Sequence, residues 1–71
     1  MTKRELEKLA KQSVGAHRIS YFDLYYTRAL RLWTFTVQAH DDSPAIEISH
    51  HDRDRVCRMA ATALKAAKEK T

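Results

Sequence analysis

A chain of 71 residues amounts to one domain, taken here as 1–71, and a domain this small buries only about 60% of its unfolded surface. Its 44% hydrophobic and 31% charged residues suit a globular domain, and one Gly and one Pro exclude a loop-rich chain. With Cys57 alone there is no intramolecular disulfide framework, no apolar run approaches the ~18 residues of a membrane span, and the charged start MTKRELEKLA lacks a secretory signal's apolar stretch, so a cytoplasmic setting without membrane contact is expected.

The formal net charge of +4 is unevenly spread. Residues 1–18 carry +3, residues 19–38 carry +1, residues 39–54 carry −4 and residues 55–71 carry +4. Basic ends thus flank an acidic middle. A basic domain attracts polyanions, nucleic acid above all.

Thr2-Lys3-Arg4-Glu5 has capping-box spacing, and Leu6, Leu9, Ala10, Ser13 and Val14 recur at helical intervals before Gly15. A helix over 3–14 is predicted, with Gly15 at its C-terminal cap. Arg18–Tyr26 admits two readings. Its aromatic content favours a strand, whereas Phe22, Tyr25, Tyr26, Ala29 and Leu30 would also suit a helix. A strand is preferred, because three strands make a more stable sheet than two. From Trp33 onward the pattern alternates: Trp33, Phe35, Val37 and Ala39 on one side, Thr34, Thr36 and Gln38 on the other. His40–Pro44 reads as a polar turn and Ala45–Ser49 alternates again, so 33–49 is a β-hairpin whose outer face shows Thr34, Thr36, Gln38 and Glu47 to water. Ser49-His50-His51-Asp52 has the spacing of a second capping box. Val56, Ala60, Ala63, Leu64 and Ala67 then form the apolar stripe of a helix over 51–69. The expected fold is α+β: an αβββα two-layer sandwich, with a three-stranded antiparallel sheet and both helices on one face.

That order in about 70 residues resembles the double-stranded RNA-binding domain. Phe35-Thr36-Val37 is similar to the aromatic–x–Val of the family's middle strand, and Met59–Leu64 looks like its Ala-rich last helix. The resemblance spans the chain as topology and is thin as sequence. Tyr26–Arg31 stands where the family carries a Gly-Pro-x-His loop and holds no Gly, Pro or His. Asp52-Arg53-Asp54-Arg55 replaces a Lys-rich run, with only Arg53 falling where a family lysine stands. The resemblance implies RNA as the nucleic acid rather than DNA, read by shape.

The candidate contacts are three basic groups. Arg4, Lys8 and Lys11 form one stripe at i, i+4 and i+7, opposite Leu6 and Leu9. Arg53, Arg55 and Arg58 open the last helix, where guanidinium forks and backbone N–H groups suit phosphate. Arg28 and Arg31 lie near Tyr25, Tyr26 and Trp33, a mixture able to stack on bases. Each has a plainer reading. The stripe is an ordinary solvated helix face with i,i+3 and i,i+4 pairs to Glu5 and Glu7; Asp52 and Asp54 repel phosphate from the helix start; Trp33 is core. The three tyrosines exceed what a small core needs, so at least one should be exposed.

His40, His50, His51, Asp41, Asp42, Asp52 and Asp54 have the composition of metal ligands without zinc or calcium spacing. A hairpin separates His40 from His50 by more than ~15 Å, leaving His50 with Asp54 at i, i+4 as the remaining pair. A polar turn and a capped helix start are the preferred reading, and neither metal nor cofactor is expected. Cys57 falls beside the apolar stripe as a buried thiol. The chain holds no Gly-rich phosphate loop and no nucleophile–base arrangement, so no catalytic residue is assigned and an enzyme is not expected. A small nucleic-acid-binding module is expected first. A protein-binding regulator or inhibitor, acting through the charged and tyrosine-rich surface on a protein partner or a second copy, is the alternative.

Overall fold

The computed structural model describes residues 2–40 and 45–69. Helix α1 spans Lys3–Ala10, strand β1 Ile19–Thr27, strand β2 Leu32–Ala39, strand β3 Ile46–His50 and helix α2 Arg53–Glu69. The sheet is antiparallel with order β1-β2-β3, so β2 is central. Two helices and a three-stranded sheet form the expected α+β globule, with a radius of gyration of 11.7 Å.

α1 starts as its sequence dictates. The Thr2 hydroxyl accepts from Glu5 N–H and the Glu5 carboxylate accepts from Thr2 N–H, both at 3.2 Å. The expected helix over 3–14 departs from α geometry after Ala10: Lys11–Gly15 form a wider π turn, followed by a short 3-10 turn over Ala16–Arg18. Gly15 ends this segment at φ +104°, a conformation that residues with a Cβ adopt only with strain.

Arg18–Tyr26 resolves as the strand reading, with β1 displaced by one residue to Ile19–Thr27. A one-residue bulge between Ile19 and Tyr21 answers a conflict in the pattern. Ile19 and Phe22 both pack on the core, although strict alternation puts residues three apart on opposite faces. Four residues, Arg28–Arg31, return the chain to β2; Arg31 N–H donates to the Arg28 carbonyl at 3.3 Å, and Arg31 sits at φ 53°.

The predicted hairpin forms, and its strands pair in a register from Trp33↔His50 to Val37↔Ile46; the expected turn residues 41–44 lie outside the described residues. Leu24, Phe35 and Val37 face the helices and meet Leu6, Ala10, Val56, Cys57, Ala60 and Leu64 in the buried core. Cys57 is buried and outside any disulfide.

Two local expectations are corrected. Thr34 and Thr36 do not face water: both are buried at 7% exposure. They are short side chains on the central strand, screened by Tyr21, Asp23 and Tyr25 on β1 and by Glu47 and Ser49 on β3, all sharing their face by register. Nor does Ser49 cap α2, because it is still in β3, where its hydroxyl lies 3.1 Å from that of Thr34. Asp52 caps instead, its carboxylate accepting from Asp54 N–H at 3.0 Å and its carbonyl from Val56 N–H at 3.1 Å.

Candidate nucleic-acid interface

Each helix turns one face inward, which decides where its cations go. In α1 the inward residues are Leu6 and Ala10, so at ~100° per residue Arg4, Lys8 and Lys11 lie on the opposite side, and all three are exposed. Lys11 also meets the Glu7 carboxylate at 3.4 Å, an ordinary i,i+4 pair on an exposed face. In α2 the inward residues are Val56, Cys57, Ala60 and Leu64, which leaves Arg55 and Arg58 exposed on the far side.

Lys65 continues that α2 face two turns beyond Arg58 and was absent from the sequence-derived set. Its i, i+7 spacing from Arg58 was the available signal, masked by the basic, Ala-rich character of the whole helix end. Over ten residues at ~1.5 Å each, Arg55 to Lys65 form a stripe about 15 Å long. Asp54, Cys57, Arg58, Ala61, Thr62 and Lys65 line a shallow groove along the helix, and the Thr62 hydroxyl donates to the Arg58 carbonyl at 3.0 Å.

Arg53 is separated from Arg55 and Arg58. It is half-buried on the inward side of the first turn, its guanidinium carbon 5.5 Å from the Trp33 ring centroid. Trp33 itself is at the rim of the core rather than in its centre. It is the middle of a cross-strand row on the helix side, between Tyr26 on β1 and His50 on β3. The Tyr26 and Trp33 centroids are 5.1 Å apart with planes at 49°, and His50 stacks on His51 at 4.2 Å. Arg28 and Arg31, both exposed, occupy the turn at this same end of the sheet, so the fold brings Arg28, Arg31, Arg53 and the Tyr26–Trp33 pair to one end. The hairpin alternation predicts the side of Trp33, but aligning Tyr26 and His50 with it takes the register of all three strands.

The opposite face of the sheet is different in kind. Tyr21 and Tyr25 stand exposed there over the buried Thr34 and Thr36, and its charged groups are Asp23 and Glu47, with Lys3 reaching Asp23 at 2.8 Å. Cations on the outward helix faces and acids with tyrosines on the sheet's outer face give the domain two chemically distinct sides.

The histidines and acids do not converge. Asp41 and Asp42 lie outside the described residues. Among the described residues no group of three or more His, Cys, Asp or Glu side chains is arranged to hold a metal ion. His50 and Asp54, the pair left by i, i+4 spacing, do not share a helix, because His50 ends β3 and α2 begins only at Arg53. His50 Nδ1 instead accepts from Asp52 N–H at 3.0 Å. Among the described residues no helix is long and apolar enough to cross a membrane.

No protein-family model matches the chain, and neither the curated proteins nor the solved structures contain a match to it.

Proposed function

We propose that this chain is a small non-catalytic nucleic-acid-binding module that grips phosphate through its helix faces, with RNA as the preferred partner. One observation carries the reading. Arg4, Lys8, Lys11, Arg55, Arg58 and Lys65 are all exposed on the outward faces of two helices that lie side by side, while the acids of the sheet look the other way. Such a one-sided array neutralises phosphates without reading bases. The helix–three strands–helix order supports the resemblance to double-stranded RNA-binding domains, whose mode is contact across duplex grooves by shape. Arg28 and Arg31 at the β1–β2 turn supply a further contact, and Arg53, held against Trp33, orients that end of α2. Asp54 at the start of α2 weakens phosphate docking locally, so most of the affinity is assigned to Arg58 and Lys65 on α2 and to the α1 stripe.

The test is a gel-shift titration of a duplex RNA of about 16 base pairs over a range of salt concentrations. If all six cations neutralise phosphate, log affinity falls against log salt with a slope approaching about −5. Paired reversals Lys8→Glu and Arg58→Glu flatten the slope and weaken binding at least tenfold, whereas Glu47→Lys on the other side does not weaken it. No binding at about 50 mM salt, or equal losses from reversals on both sides, would sink the reading.

A second reading, a protein-binding regulator or inhibitor, is favoured by the paired exposure of Tyr21 and Tyr25 above a buried threonine floor. Exposed tyrosines are enriched at protein interfaces. Tyr21→Ser with Tyr25→Ser would abolish capture of a protein partner while sparing RNA binding; loss of RNA binding instead would assign the tyrosines to the first reading.

A further inference from the structure

Strand β1 is nine residues long, contains no proline and, among the described residues, pairs only with β2. A long edge strand is a template for another strand unless something on it blocks pairing. The backbone N–H groups of an antiparallel strand point alternately to its two sides. Leu24 N–H donates to the Asp23 carboxylate at 2.8 Å, which puts it on the side away from β2, and by alternation the N–H groups of Phe22 and Tyr26 point there too.

The capping carboxylate is held from two directions. Lys3 Nζ reaches the same oxygen, Oδ1, at 2.8 Å, and the Tyr21 hydroxyl donates to Oδ2 at 3.3 Å. Lys3 belongs to α1, on the helix side of the sheet, whereas Asp23 shares the outer face with Thr36. The ion pair therefore crosses the rim of the sheet at β1.

We propose that Asp23, pinned by Lys3, is a latch that closes the β1 edge against a second copy of this chain, and that removing its carboxylate lets two β1 strands pair antiparallel into a six-stranded sheet. The occupant follows from the strand's symmetry. Tyr21-x-Asp23-x-Tyr25 reads the same in both directions, so two-fold pairing centred on Asp23 sets Tyr21 opposite Tyr25 of the second copy, and Phe22 opposite Leu24, each twice. Asp23 is then the one position where charge opposes pairing, since two carboxylates meet across the axis. The carboxylate acts twice: it occupies an edge N–H and repels its counterpart. Because the two-fold axis is normal to the sheet, both helix layers stay on one side. The inference stands whether or not the chain binds nucleic acid.

Sedimentation equilibrium tests it on the full chain. The wild type is expected at 8.2 kDa, and Asp23→Thr at twice that mass within a range up to about 1 mM. Lys3→Met, which leaves the carboxylate and its repulsion in place, and Glu7→Gln, which breaks the Lys11 pair, are both expected to remain monomeric like the wild type. Hydrogen exchange supplies the location: the amides of Phe22, Leu24 and Tyr26 become protected in the Asp23→Thr dimer. If Asp23→Thr loses its cooperative melt, Asp23→Asn, which removes the charge alone, takes its place in both measurements. A wild type that already dimerises, Asp23 variants that both remain monomeric, or a dimer in which those amides stay unprotected would each overturn the proposal.

Discussion

At Asp23 one half-buried carboxylate meets an ammonium, a backbone N–H and a phenol. The Lys3 ammonium, helped by Leu24 N–H and the Tyr21 hydroxyl, holds the Asp23 carboxyl below the usual carboxylate range, against a smaller opposing effect of burial. The same hydrogen bond raises the Lys3 ammonium above its ordinary value. The two signs bracket a pH window. A depressed carboxyl stabilises the fold fully above its unfolded pKa of about 3.9 and loses that contribution as pH falls through the folded value. A raised ammonium contributes fully below its unfolded pKa of about 10.4 and loses it as pH rises through the folded value. Glu5, held down first by Thr2 N–H and then by the Thr2 hydroxyl, adds to the acid side. In urea unfolding the stability gap between wild type and Asp23→Ala is therefore expected to be constant from about pH 5 to 9 and to close toward pH 2. A gap unchanged at pH 2 would mean that the carboxylate's charge plays no part.

For the elements, caps and bulges decide where regular structure starts. Asp52 satisfies an N–H of the first turn of α2, and its negative charge suits the helix N-terminus. Asp52→Ala is expected to cost about 1 kcal/mol, within the usual range of roughly 0.5–2, in urea or thermal unfolding, while Ser49→Ala, which removes only the hydroxyl contact to Thr34, should cost less. Equal losses would contradict the assignment of the cap. Both residues carry cap chemistry, and spacing alone pointed to Ser49. Only the length of β3, set by its pairing to Trp33 and Thr34, shows that Ser49 is still strand. The Ile19–Tyr21 bulge has a similar origin. It lets one strand put both Ile19 and Phe22 against the core, so an apparent helical spacing is absorbed into a sheet.

Across the whole molecule a small core leaves little reserve. Phe35 is fully buried at the centre of the sheet and meets Phe22 edge to face, centroids 5.6 Å apart. Truncating a buried Phe to Ala costs about 3–5 kcal/mol, and a core of this size rarely supplies more than about 3–5 kcal/mol in total. Phe35→Ala is accordingly expected to abolish the cooperative melt seen by circular dichroism at 25 °C, while Tyr25→Ala on the outer face retains it. A folded Phe35→Ala chain would show that the core extends beyond the residues assigned to it. At this same scale the domain is two-sided, with cations carried on the helices and tyrosines with acids on the sheet.

Several features were written locally. The Thr2–Glu5 capping box, the alternation of Trp33–Ala39 and the Val56–Leu64 stripe each follow from residues within one or two turns or a single strand, where side-chain chemistry and backbone period suffice. The outward positions of Arg4, Lys8, Lys11, Arg55 and Arg58 followed from the same periodicity. What needed the assembled fold was anything set by neighbours distant in sequence. Thr34 and Thr36 are buried because strands lie on both sides of β2, Arg53 is drawn from its helix-mates by Trp33 twenty residues away, and Lys3 meets Asp23 only because the fold brings the start of α1 to the rim of β1. Burial and ion pairing depend on what stands within a few ångströms, and for those residues the chain's own order does not say what that is.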